Sequence, residues 1–363
     1  MQLVSIAITD FRCLTAVTLE PDPSGTTVIV GPNGVGKTSV LEATAYLSTL
    51  RSFRGVAREA MVRRGATSAI VRAETLIVDR PVTIEAELTT TGRSRTMVNR
   101  QPVRRRSDLH DALRTTLFSP EDIQVVRGAP ADRRAFLDDT TTLLDPRVGA
   151  QVEDLERVLR QRGALLKQAG GRLTPEVAAT LDVWDDRLVA AGTAVTRARE
   201  SLADRVGPLA AAHYARLAGA AVPVAVRYRR SWEGGLAQAL AASRRDDLRR
   251  GTTLVGPHRD ELELELDGLP SRTHASQGEQ RSLALALRLA AHELATDRLG
   301  TPPVLLLDDV FSELDPYRSA ALLEGLPPGQ AILTTAVPPP AGLVADRTYE
   351  VDGSGIFTRG AGR

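Results

Sequence analysis

The sequence predicts an α/β fold with an inserted helical region, and three patterns along its 363 residues support this. A glycine-rich loop at 31–38 follows an apolar, β-branched run at 26–30. A second apolar run, at 304–307, ends in two aspartates. Between these segments, apolar residues recur at heptad spacing over 177–202, which is typical of long packed helices.

Composition excludes several classes of protein. The chain has 46 basic and 45 acidic residues, a net charge of +1 and a single cysteine, Cys13. One cysteine excludes an intramolecular disulfide and a cysteine-based metal cluster. Balanced charge means that a nucleic-acid partner has to be recognised by local patches. No stretch resembles a signal peptide or a membrane span, so we expect a cytoplasmic protein without a membrane partner.

The loop at 31–38 has the complete spacing of a phosphate-binding P-loop, with a predicted strand before it and a predicted helix after it. Its glycines let backbone amides turn towards a polyanion, and the helix N-terminus adds partial positive charge. We expect Lys37 to reach the β- and γ-phosphates and Thr38 to hold Mg²⁺. ATP is the expected nucleotide, although GTP fits the same pattern. The predicted nucleotide-binding residues here are Gly31, Pro32, Asn33, Gly34, Val35, Gly36, Lys37, Thr38 and Ser39.

The apolar run at 304–307 is typical of a Walker B strand. A carboxylate at the end of such a strand faces the P-loop, so Asp308 is the predicted metal ligand. Asp309 follows at the position of a catalytic base or water-orienting group. Aspartate is one methylene shorter than the glutamate often found there, which predicts slow hydrolysis.

Apolar periodicity predicts the other elements of the head. We expect a buried helix at 283–294, and the early strands should form an antiparallel layer beside the nucleotide core. The predicted strands are 3–8, 16–19, 26–30, 69–78, 82–88, 94–98, 262–266, 304–307 and 330–335.

The middle of the chain predicts two helices joined by Gly170 and Gly171. Apolar residues at three- and four-residue steps over 144–166 and 177–202 allow the two helices to pack as an antiparallel hairpin. A projecting arm and a core helical bundle both fit this pattern. The predicted domains are an ATPase head, 1–125 with 251–363, and a helical arm domain, 126–250.

A further motif, Ser276-Gln277-Gly278-Glu279-Gln280, precedes the alanine-rich helix. Serine and glycine at a helix start present a hydroxyl and bare amides to an anion, although an ordinary N-cap also explains them. Between a P-loop and a Walker B strand, the motif resembles the signature of ABC ATPases. Ser312-Glu-Leu-Asp315, after the Walker B strand, resembles their D-loop.

Longer stretches narrow this resemblance to the RecF family of bacterial recombination mediators, which are SMC-like ABC ATPases. The match runs in order along essentially the whole chain. It rests on Asp10-Phe11-Arg12, Ser52-Phe53-Arg54-Gly55, 120–138, Gly256-Pro-His258-Arg259-Asp260 and 305–322.

The resemblance implies an ATP-dependent homodimer that binds double-stranded and gapped DNA and acts with RecO and RecR to help load RecA. It further implies a slow, DNA-stimulated ATPase that acts as a switch. By this resemblance, Gln124 would sense the γ-phosphate and would bind the metal ion together with Thr38 and Asp308. Arg12 would lie near the nucleotide. The segment Ser276, Gln277 and Gly278 would meet the nucleotide of a partner subunit, and Asp315 would lie at the dimer seam.

One departure is informative. ABC transporters usually carry a histidine after the strand that follows Walker B, whereas this chain has Thr334-Thr335-Ala336, in which Thr335 is the candidate replacement. This argues against a transporter subunit. The short arm and its Gly170-Gly171 tip argue against the ATPase of a double-strand-break nuclease complex and against a structural SMC protein.

Arginine clusters are the candidate DNA contacts. Each guanidinium can hold phosphate oxygens bidentately, so we expect sequence-independent, salt-dependent binding. Arginine clusters are also typical of an ordinary solvated surface. The candidates are Arg51, Arg54, Arg63, Arg64, Arg104, Arg105 and Arg106.

Overall fold

A computed structural model describes residues 1–103, 107–340, 342–352 and 357–359. The chain divides into two compact units. Unit 1 comprises Met1–Asp122, His213–Ala221 and Arg281–Arg363; unit 2 comprises Ile123–Ala212 and Val222–Gln280. No helix in the described ranges is both long enough and apolar enough to cross a membrane.

Unit 1 contains an antiparallel sheet of six strands in the order β2-β1-β4-β5-β6-β7. Along β4 and β5 alternate residues are buried, as the period-two pattern predicts for a sheet with one covered face. The strands are β1 (Gln2–Phe11), β2 (Leu14–Leu19), β4 (Ser68–Ile77), β5 (Arg80–Thr89), β6 (Arg95–Val98) and β7 (Gln101–Pro102).

The second sheet of unit 1 carries the predicted P-loop and Walker B strands. Its order is β15-β14-β3-β13-β12-β8, parallel except for the pairing of β15 with β14. The carboxyl ends of its parallel strands therefore meet at one edge, where ligands bind in open α/β sheets. The strands are β3 (Thr26–Val30), β8 (Thr115–Phe118), β12 (Val304–Asp308), β13 (Ala331–Thr335), β14 (Arg347–Val351) and β15 (Phe357–Arg359).

Helix α1 joins the two sheets into one core. Val40 and Leu41 of α1 are fully buried in a cluster that also holds Ile6 of β1 and Leu306 of β12. The helices of unit 1 are α1 (Lys37–Thr49), α2 (Ser107–His110), α9 (Gln277–Leu299), whose first residues belong to unit 2, and α10 (Pro316–Glu324), together with the last residues of a long helix of unit 2 described below.

Unit 2 is mainly helical and has one small antiparallel sheet in the order β11-β10-β9. Its strands are β9 (Val224–Arg229), β10 (Glu261–Leu266) and β11 (Leu269–Pro270). Its helices are α3 (Ile123–Arg127), α4 (Pro130–Leu144), α5 (Pro146–Ala169), α6 (Pro175–Ala218), whose last residues belong to unit 1, α7 (Leu236–Arg250) and α8 (Ser271–His274).

The antiparallel hairpin of α5 and α6 is present. Gly170 and Gly171, with φ of 57° and 83°, form the turn between the helices. Leu166 and Leu181 share one cluster near this turn, and Val152 and Val195 share another farther along the pair. The residue numbers of each pair add up to the same value, as they do when two helices run in opposite directions.

A third helix packs against this hairpin. Leu248 of α7 joins the cluster of Leu166 and Leu181, and Leu236 and Leu240 join the second cluster. Sequence patterning did not indicate α7, because its few leucines stand among arginines and their partners are remote in the chain. Along its packed length the hairpin is thus part of a three-helix bundle.

Residues 251–280, assigned to the head from sequence, group with unit 2. The reason is strand pairing, because β10 pairs with β9 from Glu261↔Arg229 to Leu266↔Val224. The alternation of leucine and glutamate in β10 predicted a strand but contained no information about its partner.

Candidate functional site

The P-loop connects β3 to α1 and has the backbone that its glycines permit. Gly34 and Gly36 have φ of 86° and 109°. A Cβ at Gly36 would lie 2.4 Å from Leu14 Cδ2, so this position requires glycine for space as well as for conformation. Val35 packs against the core instead of lining the cleft described below. The loop is thereby held against β2 with the N-terminus of α1 at its end.

Lys37 is the first residue of α1 and is only 6% exposed. Its Nζ donates to the carbonyl oxygens of Gly31 and Pro32, both at 2.7 Å. Burial lowers the pKa of Lys37, while the charges of Asp309 and Asp308 act in the opposite direction. The ammonium is therefore held inside the loop by neutral carbonyls.

Asp308 ends β12 and meets the P-loop. Its Oδ1 accepts from Thr38 Oγ1 at 2.8 Å and from Thr334 Oγ1 at 2.7 Å. Burial raises the pKa of Asp308, and the two hydroxyl bonds oppose this rise. Because β13 lies between β3 and β12, the sheet order itself brings the three side chains together.

This group offers the hard oxygen donors that Mg²⁺ prefers. The carboxylate of Asp308 and the hydroxyl of Thr38 already lie within 2.8 Å of each other. Mg²⁺ usually binds through one or two carboxylates together with phosphates and water, so a larger protein cage is not required. In the described part of the chain no group of three or more His, Cys, Asp and Glu side chains is arranged for a metal ion.

Asp309 lies next to this group with a left-handed backbone, φ 47°. Its amide donates to the carbonyl and to the hydroxyl of Thr334, both at 3.1 Å. Its Oδ1 accepts from the amide of Ala336 at 3.3 Å. These bonds hold the Asp309 carboxylate at the rim of the cleft, where the sequence placed a water-orienting group.

Thr334, and not Thr335, is the threonine that contacts the site. Thr335 is fully buried and its hydroxyl donates to the carbonyl of Val337 at 2.8 Å. Successive side chains of a strand point in opposite directions, so only one of the two can reach Asp308. Choosing between them requires the orientation of β13, which the sequence did not provide.

Arg12 lies at the P-loop, and its charge is paired with a carboxylate. Its Nε and Nη2 donate to the two oxygens of the buried Glu42, both at 2.7 Å, and its Nη1 donates to the carbonyl of Ala60 at 3.0 Å. Glu42 also accepts a short bond from Ser52 Oγ. The pair fixes the segment around Ala60 against α1.

These groups border a cleft of about 540 Å³. Its lining includes the P-loop residues Asn33, Gly34, Gly36, Lys37, Thr38 and Ser39, together with Asp309 and Thr334. Arg54 and Arg64, predicted as DNA contacts, also line it. The sequence shows the charge of these arginines and their neighbours in the chain, but it does not show which cleft each side chain lines.

The remaining predicted arginines are differently placed. Arg63 Nε pairs with Asp10 Oδ1 at 2.6 Å, and Arg51 lines a separate cleft of unit 1. Arg104, Arg105 and Arg106 lie outside the described residues. Among the described candidates, two therefore line the nucleotide cleft, one lines another cleft and one forms an ion pair.

The candidates in unit 2 lie on helix starts. Gln124 is an exposed residue of α3. Ser276 precedes α9: its amide donates to Glu279 Oε2 at 2.7 Å, and its hydroxyl accepts from the Glu279 amide at 3.4 Å. This is a capping box, so the N-cap explanation holds. Ser276 and Gln277 are exposed and Gly278 is half-buried.

Asp315, in unit 1, is the N-cap of α10. Its Oδ1 accepts from the Arg318 amide at 2.8 Å and its Oδ2 pairs with Arg318 Nη1 at 2.6 Å. These bonds lower the pKa of this exposed carboxyl. The predicted D-loop residue thus starts a helix and stays ionised.

Known proteins resemble this chain over most of its length. A family model described as the RecF/RecN/SMC N terminal domain matches residues 2–336. The DNA replication and repair protein RecF of Frankia alni is 43% identical over 356 residues, which is 93% of each chain. A solved structure of the recombination mediator RecF with ATP, in the RecFOR pathway, has a TM-score of 0.89 at 27% identity and covers 99% of this chain and 98% of that one.

An SMC head domain from Pyrococcus furiosus shares the fold, with a TM-score of 0.58 at 17% identity over 99% of this chain and 95% of that one. The sheet order and the P-loop geometry accordingly define an SMC-type P-loop head. The chain belongs to the RecF family of DNA replication and repair proteins. The fold class and the family predicted from sequence are confirmed, and the transporter, nuclease and compaction alternatives are set aside.

Proposed function

We propose that this protein binds ATP and Mg²⁺ in the 540 Å³ cleft and uses them to control its binding to DNA. The observation that carries the proposal is the contact between Thr38 of the P-loop and Asp308 of the Walker B strand, beside the buried Lys37. The homologue solved with ATP supports the choice of nucleotide. When bound, Mg²⁺ neutralises developing charge on the phosphates.

The side chains then have distinct roles. Lys37 exchanges the Gly31 and Pro32 carbonyls for β- and γ-phosphate oxygens. Thr38 and Asp308 would hold the metal ion. The family resemblance assigns Gln124 a part at the metal as well. Asp309 orients the attacking water, and its short side chain favours slow turnover. Slow turnover suits a switch, because the bound state persists long enough to act.

Two copies of the chain would enclose the nucleotide. Ser276 and Gln277 are exposed, as a surface that meets the nucleotide of another copy has to be. Asp315 would lie at the seam between the copies. ATP bound to both copies stabilises the dimer by linkage, and hydrolysis removes that stabilisation.

The partners follow from family membership. We propose that the dimer binds double-stranded and gapped DNA and acts with RecO and RecR to help load RecA, and that DNA stimulates its slow ATPase. The relative's role in the RecFOR pathway supports this assignment. Arg51 and Arg64 are exposed arginines of unit 1 and are the proposed contacts to the DNA backbone.

The test is ATP-dependent dimerisation of Asp309→Asn. Removing the water-orienting carboxylate leaves Lys37 and Thr38 intact, so ATP binds and is not consumed. Light scattering after size exclusion should give a dimer with ATP and a smaller species without it. Lys37→Ala is the matched control and should not respond to ATP. An Asp309→Asn protein that binds ATP but keeps the same mass with and without it refutes the dimer proposal.

A further inference from the structure

The turn that follows β8 lies beside the end of the Walker B strand. β8 pairs with β12 in parallel, and Leu307 lies opposite Phe118. Both residues stand at the carboxyl ends of their strands, and β12 ends one residue later, at Asp308. Residues 119–122 form the turn and belong to unit 1. The turn is therefore a spatial neighbour of the predicted metal ligand, although the two are remote in the sequence.

A buried aspartate fixes this turn. Asp122 is 7% exposed, and its Oδ2 accepts from the Ser119 amide at 2.7 Å. Its Oδ1 accepts from Nε of Arg288, in α9, at 2.9 Å. The amide of Asp122 donates to the Ser119 carbonyl at 3.0 Å, which closes the turn. The backbone of the intervening Glu121 is thereby held in place, as the support of a binding residue has to be.

Glu121 presents a free carboxylate on this turn. Its side chain is exposed, and within the described part of the chain it has no hydrogen-bond or ion-pair partner. The neighbouring carboxylates are engaged, Asp122 by Arg288 and Asp308 by two hydroxyl groups. Glu121 therefore keeps its full capacity to accept hydrogen bonds from a ligand.

The charge of Glu121 acts on the nucleotide site. Burial is the main cause that raises the pKa of Asp308, and the negative charges of Glu121 and Asp309 add to this rise. Like charges repel, so the two neighbours destabilise the ionised form of the buried carboxylate. A divalent cation beside Asp308 replaces this repulsion by attraction to all three carboxylates. The three charges together therefore favour the binding of a divalent cation.

The spacing of these carboxylates favours a contact through water. Among the described residues, no three His, Cys, Asp or Glu side chains are arranged to hold a metal ion together. Mg²⁺ gives up its water ligands reluctantly and usually keeps several of them. A carboxylate that accepts from such a water orients the ion and increases its affinity. Glu121 can take this part without being a direct ligand.

The rival residue is Gln124, to which the family resemblance assigns a part at the metal. Gln124 follows three residues later, in α3, and belongs to unit 2. Its amide is neutral and adds no charge beside Asp308. Glu121 belongs to the same unit as Asp308 and Thr38 and carries the hard anionic oxygen that Mg²⁺ prefers.

We propose that Glu121, and not Gln124, is the residue of this segment that acts at the metal site. It accepts hydrogen bonds from the hydration water of Mg²⁺, while Asp308 and Thr38 hold the ion. It is a positioning residue for ATP hydrolysis, and Asp309 keeps the part of orienting the attacking water. This inference rests on the proposed binding of ATP and Mg²⁺ and adds one residue to that site.

The test variant is Glu121→Gln, which removes the charge and keeps the shape of the side chain. Isothermal titration calorimetry measures ATP affinity at a series of Mg²⁺ concentrations and in EDTA. We expect the Mg²⁺ concentration for half-maximal ATP binding to rise by about 10-fold, as for the loss of a supporting contact. In EDTA the affinity should be unchanged or higher, because one repulsive charge is gone. A structural defect would instead weaken ATP binding under both conditions and would overturn the proposal.

Three further variants complete the experiment. Gln124→Ala, the rival, should leave the Mg²⁺ requirement unchanged. Glu74→Gln should do the same, since Glu74 is an exposed glutamate of β4 and serves as the matched charge control. Glu121→Asp keeps the charge on a shorter side chain and should recover part of the loss.

The outcomes separate this inference from the proposed function. An equal or larger shift of the Mg²⁺ requirement in Gln124→Ala or Glu74→Gln overturns the role of Glu121, as does the absence of a shift in Glu121→Gln. In each of these cases ATP binding by the wild type still stands. If the wild-type protein binds no ATP in the presence of Mg²⁺, the proposed function itself fails.

Discussion

The P-loop of unit 1 and the helical bundle of unit 2 each bury a cation, but the two cations have different kinds of hydrogen-bond partner. Lys37 is 6% exposed and donates to two neutral carbonyls. Arg162 of α5 is fully buried and pairs with Asp185 of α6 at 2.7 Å and Asp247 of α7 at 2.8 Å. The carbonyls do not neutralise the charge of the lysine, whereas the two carboxylates neutralise the charge of the arginine.

The difference separates a binding group from a structural one. A buried cation with carboxylate partners crosslinks elements, and here it joins the three helices of the bundle. Removing one member of such a pair leaves an uncompensated charge in the protein interior. A buried cation that donates only to neutral carbonyls keeps a positive charge with which it can bind an anion.

The largest effect should come from Lys37→Ala. Each hydrogen bond to a charged group is worth about 1.5–3 kcal/mol, so losing two of them should weaken ATP binding by about 10³-fold. Isothermal titration calorimetry measures this loss. The free energy of unfolding should change little, and a strong destabilisation would show that the lysine is also structural.

Asp247→Ala should have the second largest effect, in the other region. It removes one of the two carboxylates that pair with the fully buried Arg162 and the acceptor of the Leu254 amide, so the free energy of unfolding should fall by about 3–5 kcal/mol. Urea denaturation measures this change. Asp246→Ala is the control, because Asp246 belongs to an exposed pair with Arg249. Equal losses in the free energy of unfolding for Asp247→Ala and Asp246→Ala would refute a structural role for the buried ion pairs of Arg162.

Thr334→Val should have a moderate effect on the binding site. It removes a hydroxyl that orients Asp308, and losing such a supporting bond typically costs at least about 10-fold in metal affinity. The measurement is the Mg²⁺ concentration needed for half-maximal ATP binding. Thr335→Val is the control, since its hydroxyl contacts Val337 instead. A change in this Mg²⁺ concentration for Thr335→Val alone would show that Thr335, and not Thr334, supports the site.

The smallest effect concerns pH. Burial raises the pKa of Asp308 above its ordinary value of 3.8. Its contribution to stability is therefore fully present below pH 3.8 and is lost as the pH rises through the raised pKa. The asparagine of Asp308→Asn does not ionise, so this variant lacks the loss. The melting temperature of the variant minus that of the wild type should therefore increase from pH 3.5 to pH 7. A difference independent of pH would contradict the burial of this carboxylate.

Local patterns were sufficient for the P-loop, for the Walker B strand and for the two helices of the hairpin. Each depends on neighbours within a few residues: glycines where φ is positive, apolar runs before a carboxylate, leucines at heptad steps. Family membership followed from the same local stretches. Patterns of this range cannot show which strand lies beside another.

The sequence by itself determined which residues form the P-loop and where the two long helices meet, at Gly170 and Gly171, because backbone conformation and periodicity are local properties. Only the tertiary structure decided that Thr334 reaches Asp308, that α7 completes the bundle, and that Arg51 and Arg54 line different clefts. These outcomes depend on strand order and on packing between separate segments of the chain. Side chains that look alike in the sequence acquire different roles there because their surroundings differ.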